Sequence, residues 1–209
     1  MLNLRIVMEE EMTKPIIAVL IGSLSKQSIN RRLAEAMMRL GERRFVFREA
    51  QICDLPHYDR DLDGALPDSV LRLKSEIDAA DGVLLVGPEY NRSFAAVLKN
   101  AIDWASRPYG RSSWSGKPSA IAGISSGSLG TAPAQQHLRN ILSHLDSPVL
   151  TSPEVYVTLR PGLFDEGGGI ADDTTKEFLD GFHQRFAAHI ARYQPEHIAA
   201  RDAGVALRA

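Results

Sequence analysis

The chain has 209 residues, of which 44% are apolar and 24% are charged, a composition typical of one soluble globular domain. Its formal net charge of −2 argues against a surface that binds nucleic acid or an anionic membrane, because either would require a concentration of basic side chains. The single cysteine, Cys53, excludes an intrachain disulfide and suits a reducing compartment. No apolar run approaches the ~20 residues of a membrane-spanning helix, so we expect a cytoplasmic protein.

The N-terminal stretch carries Glu9, Glu10 and Glu11 where a signal peptide would have its apolar region. We therefore predict a flexible tail over residues 1–13. A second flexible tail is predicted over residues 194–209, where the last helical pattern has ended. No repeat, low-complexity segment or long linker divides residues 14–193, which are expected to form one domain.

Short, continuous, β-branched apolar runs alternate with amphipathic helical patterns along this domain. The runs predict strands buried on both faces, at residues 16–21, 45–47, 83–87 and 120–124, with a fifth strand made by 149–150 and 155–157. Apolar residues at helical spacing predict helices around residues 33–40, 70–77, 97–105, 134–145 and 179–193. This alternation predicts an α/β fold in which helices cover both faces of a doubly wound parallel sheet.

The loop of residues 22–31 joins the first strand to the first helix. Backbone N–H groups at a helix N-terminus are unpaired and carry partial positive charge. The polar side chains around this point are Ser23, Ser25, Ser28 and Asn30. Such a ring of donors suits a phosphate monoester. Serine and asparagine are also ordinary helix caps, and the loop alone does not decide between these two interpretations.

Two further loops follow the third and fourth strands. The carboxyl ends of parallel strands share one edge of a sheet, and ligands bind there. Residues 87–93 include Pro88, which stiffens a turn that could serve a flat aromatic ligand as a ledge. Residues 125–131 include Gly127 and Gly130, which allow close approach of the main chain to a ligand. None of the three loops has the G-x-G-x-x-G dinucleotide pattern, but together they predict one ligand site.

Four blocks carry a more specific signal: G-S-x-x-x-x-S-x-N at residues 22–30, P-E-Y-N-x-S at 88–93, L-K-N-A-I-D-W at 98–104, and the glycine loop at 127–130. In this order they resemble the NADPH-dependent FMN reductase family, which includes soluble chromate and quinone reductases, and the similarity runs from about residue 16 to residue 193. The resemblance implies a flavodoxin-like sheet of five parallel strands in the order 2-1-3-4-5. It also implies FMN as cofactor, NADPH or NADH as co-substrate, small-molecule electron acceptors such as quinones or chromate, and a homodimer or homotetramer.

The resemblance further implies roles for individual residues. Those at the FMN phosphate would be Ser23, Ser28 and Asn30, with Ser25 beside them; those bordering the isoalloxazine would be Pro88, Glu89, Tyr90 and Asn91, with Ser125 and Gly127 on its other flank. Candidates for contact with a 2′-phosphate of the nicotinamide nucleotide are Arg31, Arg92 and Arg107. The chain departs from the family at Ser25, often basic in members, at the Ala95-Ala96 pair, often Pro-Gly, and at Thr131, often glycine.

A bound flavin carries out hydride transfer itself, so we expect no catalytic side chain. Because the nicotinamide and the oxidant would use the same face of the flavin, we expect ping-pong kinetics. Two other functions remain open from the sequence. One is a flavodoxin-type electron carrier that serves a protein partner, and the other is a phosphate-binding or nucleotide-binding module without flavin.

Other motifs have simpler explanations. The D-x-D-x-D-G stretch at residues 59–64 resembles the start of a calcium loop, but Val70 stands where that loop requires glutamate. The histidines lack the spacing of metal ligands, so no metal site is expected. We expect Cys53 to be structural, Trp104 to pack in the core or an interface, and Lys99 to pair with Asp103. The glycine run at residues 167–169 predicts either a flexible loop or a lid over a neighbour's pocket.

Overall fold

Residues 14–194 are described by the computed structural model, and a parallel sheet forms their centre. The strands in chain order are β1 (Ile16–Ile21), β2 (Val46–Glu49), β3 (Gly82–Val86), β4 (Glu89–Tyr90), β5 (Ser93–Phe94), β6 (Ser119–Ser125) and β7 (Val155–Thr158). The sheet has the order β2-β1-β3-β6-β7 with all neighbours parallel, while β4 and β5 form a separate antiparallel hairpin. Numbered among themselves, the five sheet strands have the order 2-1-3-4-5, which confirms the predicted topology.

Within the described residues, α-helices cover both faces of the sheet. They are α1 (Ile29–Gly41), α2 (Asp68–Asp78), α3 (Ala96–Ala105), α4 (Ala132–His144) and α5 (Asp173–Ala191). Helices α1 and α5 pack on one face, and α2, α3 and α4 pack on the other. Because successive side chains of a strand point to opposite faces, β1 contributes Ile17 and Val19 to the first core and Ala18 and Leu20 to the second. The central strands β1, β3 and β6 are therefore buried on both sides, as their continuous apolar runs predict, whereas the edge strand β2 is largely exposed.

The structure differs from the prediction in three places. The segment after β3, predicted as a loop, contains the β4–β5 hairpin. The fifth strand is regular only over β7, because Val149 forms a single parallel bridge to Ser119 before the chain turns away. Helix α5 ends at Ala191, so Tyr193 lies beyond it. The tails predicted at residues 1–13 and 194–209 lie outside the described residues, apart from Gln194.

Three residues singled out by the sequence have clear local environments. Trp104 is fully buried, and its indole N–H donates to the Pro56 carbonyl at 2.8 Å, so core packing is confirmed. Lys99 pairs with Asp103 at 2.7 Å, as predicted. Cys53 is exposed on the surface after β2, and its structural role stays a prediction.

The acidic stretch at residues 59–64 forms one turn of 3₁₀ helix at Arg60–Leu62. The Asp59 carboxylate caps this turn by accepting a hydrogen bond from the backbone N–H of Asp61 at 3.0 Å. Between residues 14 and 194, no three carboxylate, histidine or cysteine side chains are grouped as ligands for a metal ion. Over the same range, no helix combines the length and apolar character needed to span a bilayer.

The glycine run at residues 167–169 closes a turn between Phe164 and Ile170, which bridge each other in antiparallel fashion. The Asp165 carboxylate accepts a hydrogen bond from the backbone N–H of Gly169 at 2.8 Å. Arg39 of α1 donates to the Gly168 carbonyl. These contacts hold the segment against α1 of its own chain, which favours a loop over a lid.

Candidate functional site

The carboxyl ends of β1, β3 and β6 meet at one edge of the sheet. The chain leaves β1 toward β2 and leaves β3 toward β6, so the crevice between β1 and β3 is the point where the winding reverses and ligands bind. Gly22 and Gly87 directly follow these two strands, and Leu98 of α3 packs into the notch between them. A Cβ at Gly87 would lie 2.8 Å from the Leu98 side chain, and one at Gly22 would overlap it. These glycines therefore let α3 pack tightly beneath the site.

The first loop ends in a well-capped helix. Ser28 is the N-cap of α1, and its hydroxyl oxygen accepts a hydrogen bond from the backbone N–H of Arg31 at 3.1 Å. The first turn of α1 contains no acidic residue. Within residues 14–194, the backbone N–H groups of the four residues from Ser23 to Lys26 make no hydrogen bond. Those donors and the positive end of the helix dipole form a set that fits a phosphate group.

Ser25 shapes this loop from within. Its hydroxyl oxygen accepts a hydrogen bond from the backbone N–H of Gln27 at 3.3 Å, and its carbonyl accepts one from Ser28 at 3.2 Å. Ser25 is exposed and Ser23 is buried. The loop thus carries both predicted serines, with Ser25 already engaged in forming the turn.

Asn30 has a different environment from the one the sequence suggests. Its side chain is 2% exposed, its Nδ2 group donates to the Ile124 carbonyl at 2.9 Å, and its Oδ1 atom accepts from the Ile124 N–H at 3.0 Å. The amide therefore completes the backbone bonding of β6, next to Ser125. Its main structural role is to tie the first loop to the third, rather than to present an open donor to a phosphate.

Arg31 also has a partner within the protein. Its guanidinium forms two hydrogen bonds to the Glu49 carboxylate, at 2.7 and 2.9 Å. The hydrogen bonds that Arg31 donates to Glu49 raise the pKa of Arg31 above its ordinary value, against the opposing effect of burial. This arginine braces α1 against β2 and is not a free cation at the site.

The P-E-Y-N-x-S block forms the β4–β5 hairpin. Asn91 and Arg92 have φ of 52° and 67°, and two successive positive φ values are typical of the type I′ turn that joins short antiparallel strands. Arginine seldom adopts this conformation, so Arg92 sits in an unfavourable backbone state. The turn leaves Tyr90 54% exposed beside the edge of the sheet.

The Glu89 carboxylate faces α4. It accepts a long hydrogen bond from the backbone N–H of Ala134, in the first turn of that helix, at 3.4 Å, and lies 3.6 Å from the Arg92 guanidinium. Its side chain is 13% exposed. The positive end of α4 therefore already has an anionic partner, unlike the N-terminus of α1.

The second and third loops enclose a shallow cleft of ≈ 440 Å³. It brings together Glu89, Asn91, Ser125 and Gly127 from the predicted set, with Arg92 and residues 128–130 beside them. The Ser125 hydroxyl bonds to both the N–H and the carbonyl of Gly127, at 3.2 and 3.1 Å, so it holds the loop in shape.

The two glycines of the third loop serve different purposes. A Cβ at Gly127 would have only the Ser125 hydroxyl nearby, at 3.7 Å, so the backbone there stays open to a ligand. Gly130 has φ of +58°, and a Cβ there would lie 3.0 Å from the backbone of Tyr156. Gly130 is therefore required by the packing of β7, not by a ligand.

The L-K-N-A-I-D-W block lies in α3, and two of its side chains form hydrogen bonds to residues 56–58 that the sequence does not predict. The Asn100 side chain accepts from the backbone N–H of Tyr58 and donates to the Pro56 carbonyl, both at 2.8 Å. The same carbonyl receives the indole N–H of Trp104. Leu98 thus packs α3 against the ends of β1 and β3. Asn100 and Trp104 hold residues 56–58 against α3.

Comparison with known proteins assigns the family. Residues 15–161 match the NADPH-dependent FMN reductase family. A 2-hydroxy-1,4-benzoquinone reductase from Burkholderia sp is 44% identical over 174 residues, covering 83% of this chain and 95% of the relative. A quinone reductase from Escherichia coli K12 is 37% identical over 180 residues, covering 84% and 95%. The solved structure of the flavoenzyme NAD(P)H:(acceptor) oxidoreductase FerB from Paracoccus denitrificans is 44% identical, with a TM-score of 0.83 over 86% of this chain and 98% of that one. The chain is therefore a member of the NADPH-dependent FMN reductase family.

Proposed function

We propose that the chain is an FMN-dependent NAD(P)H oxidoreductase that reduces quinones and related small molecules at the carboxyl edge of its sheet. The observation that carries the proposal is the row of unpaired N–H groups from Ser23 to Lys26, at a helix N-terminus without acidic residues. When bound, FMN supplies two-electron redox chemistry, and the protein supplies binding, orientation and shielding.

The residues divide this work between them. The N–H groups of the first loop and the Ser28 hydroxyl would hold the phosphate, which carries roughly −1.5 to −2 charges at neutral pH. The cleft lined by Asn91, Ser125 and Gly127 would receive the ring. Asn30 would keep these two parts in register through its bonds to Ile124. This division assigns Asn30 and Arg31 to bracing rather than direct contact.

Quinones are the acceptor class that the names of the relatives support, and chromate is a further candidate. Because nicotinamide and acceptor would occupy the same open cleft in turn, the kinetics should be ping-pong. Initial rates with NADPH and a benzoquinone should give parallel double-reciprocal lines, whereas intersecting lines would show that both bind together. We also propose that the enzyme acts in the cytoplasm as a homodimer or homotetramer.

A visible absorption spectrum recorded before and after anaerobic addition of NADPH tests the proposal. The FMN-loaded protein should show flavin absorption that bleaches on NADPH addition and returns when a quinone is added. A flavodoxin-type carrier, the second candidate, would retain the flavin but would not be reduced by NADPH alone. A protein that remains colourless after incubation with FMN would refute both the oxidoreductase and the electron carrier, and it would favour a phosphate-binding module.

A further inference from the structure

A second cleft adjoins the proposed flavin site on the side of β7. It has a volume of ≈ 420 Å³ and lies between the first turn of α1 and the segment of residues 159–164, within the range of small-molecule pockets. The two segments that line this cleft, the first turn of α1 and residues 159–164, both adjoin residues of the proposed flavin site. Arg32 lies two residues after Asn30, and the backbone N–H of Leu159 donates to the Ser125 carbonyl at 2.8 Å.

The lining of this cleft combines cationic and apolar side chains. It contains Arg32 and Arg160 but no acidic residue, together with Leu159, Pro161, Leu163 and Phe164. Within residues 14–194, the Arg32 guanidinium has neither a hydrogen bond nor an ion pair, and it rests over the Phe164 ring at 4.5 Å. In the same part of the chain, Arg160 has only long contacts, at 3.6 Å to Asp172 and 3.4 Å to Thr175. Both guanidinium groups thus retain hydrogen-bonding capacity for an anion such as a phosphate.

The sequence suggests three other arginines for a 2′-phosphate. Arg31 is held by Glu49 at 2.7 Å, so it is the least available of them. Arg92 lies 3.6 Å from Glu89, and Arg107 lies over the Tyr58 ring at 5.7 Å. Arg32 and Arg160 are distinguished by lining one cleft together, which offers a pair of cations for this group.

We propose that the cleft between Arg32 and Arg160 binds the ribose 2′-phosphate of NADPH and makes the enzyme prefer NADPH to NADH. This inference rests on the proposed oxidoreductase function. The two guanidinium groups would pair with the phosphate, and the apolar residues would contact the adjoining ribose and adenine.

Equilibrium binding of 2′,5′-ADP and 5′-AMP to the FMN-loaded protein isolates the 2′-phosphate, because the two probes differ only in that group. Arg32→Ala and Arg160→Ala should each weaken 2′,5′-ADP binding about tenfold, since each removes a charge-assisted contact, and should leave 5′-AMP binding unchanged. The effect should shrink at high salt. In steady-state kinetics, the KM for NADPH should rise in each variant, while the KM for NADH should not.

Arg43→Ala is the matched control. Arg43 is exposed just beyond the opposite end of α1, roughly 15 Å away along the helix axis, so its loss removes the same charge without touching the cleft. Unchanged 2′,5′-ADP affinity in both cleft variants would overturn the proposal. A loss of FMN affinity with 2′,5′-ADP binding unchanged would also overturn it, by assigning the cleft to the flavin phosphate. Failure of the parent protein to take up FMN would instead refute the proposed function on which the inference rests.

Discussion

Replacing Asn30 with alanine tests whether this side chain is a brace or a ligand. The amide makes two hydrogen bonds to the backbone of Ile124, at 2.9 and 3.0 Å, in a position where Asn30 is 2% exposed. Without the amide, the Ile124 N–H and carbonyl would both be buried without partners, at a cost of about 1–3 kcal/mol each. Alanine recovers roughly 0.5 kcal/mol through its higher helix propensity. The free energy of unfolding should therefore fall by about 2–5 kcal/mol.

The assay is urea unfolding of the protein after removal of FMN, so that no ligand contributes to the measured stability. Asn140→Ala is a suitable control, because Asn140 is an exposed asparagine within α4 and should change stability by less than about 0.5 kcal/mol. If Asn30→Ala leaves the FMN-free protein as stable as the parent while FMN binding weakens, the side chain is a ligand and the bracing role is refuted.

Two further predictions concern stability. Burial lowers the pKa of His183 from 6.5 to about 4, and its two ring nitrogens have no hydrogen-bond partner among residues 14–194. The imidazole of His183 therefore binds a proton more readily in the unfolded chain than in the folded protein. The free energy of unfolding is unaffected above about pH 6.5, where the imidazole is neutral in both states, and it falls as the pH decreases toward 4. At 1.36 kcal/mol for each pKa unit, His183 should account for a loss of about 2 kcal/mol in the free energy of unfolding between pH 7.5 and 5, measured in urea. His183→Phe should reduce the loss by this amount, and an equal loss in that variant would refute this origin. Gly130→Ala should destabilise the protein by about 2–4 kcal/mol, because it combines a positive φ with a close contact to Tyr156. Gly110 is the control, because its φ is +80° but a Cβ there would have no described atom within 4 Å. Gly110→Ala should lower the free energy of unfolding by only about 1–2 kcal/mol. Equal decreases in melting temperature for the two variants would contradict the role given to Tyr156.

The fold was predictable because its determinants are local and periodic. The apolar run of β1 and the helical stripe of α1 each indicate one element, and their alternation indicates the parallel sheet. The β4–β5 hairpin was missed because its strands have only two residues each, too few to show alternation. Its turn is Asn-Arg, and the arginine at positive φ gives none of the signal that Asn-Gly gives.

The position of the site was predictable from topology, but the orientation of its side chains was not. The loops around Ser28, Asn91 and Gly127 lie at one edge because parallel strands end together. The hydrogen-bond partner of Asn30, Ile124, lies 94 residues away in the sequence. No local pattern distinguishes an asparagine that binds a ligand from one that forms hydrogen bonds to a neighbouring strand. The same holds for Arg31, whose partner Glu49 lies on another element.

We expect the first loop and the N-terminus of α1 to bind the phosphate of FMN. Ser28→Asp tests it directly, because aspartate is as good an N-cap as serine but places an anion within the predicted phosphate site. FMN titration followed by flavin fluorescence should show at least about a tenfold rise in Kd for this variant, with little change for the neutral cap Ser28→Thr and with both proteins folded in urea unfolding. Unchanged FMN affinity in Ser28→Asp would place the phosphate elsewhere and contradict the account.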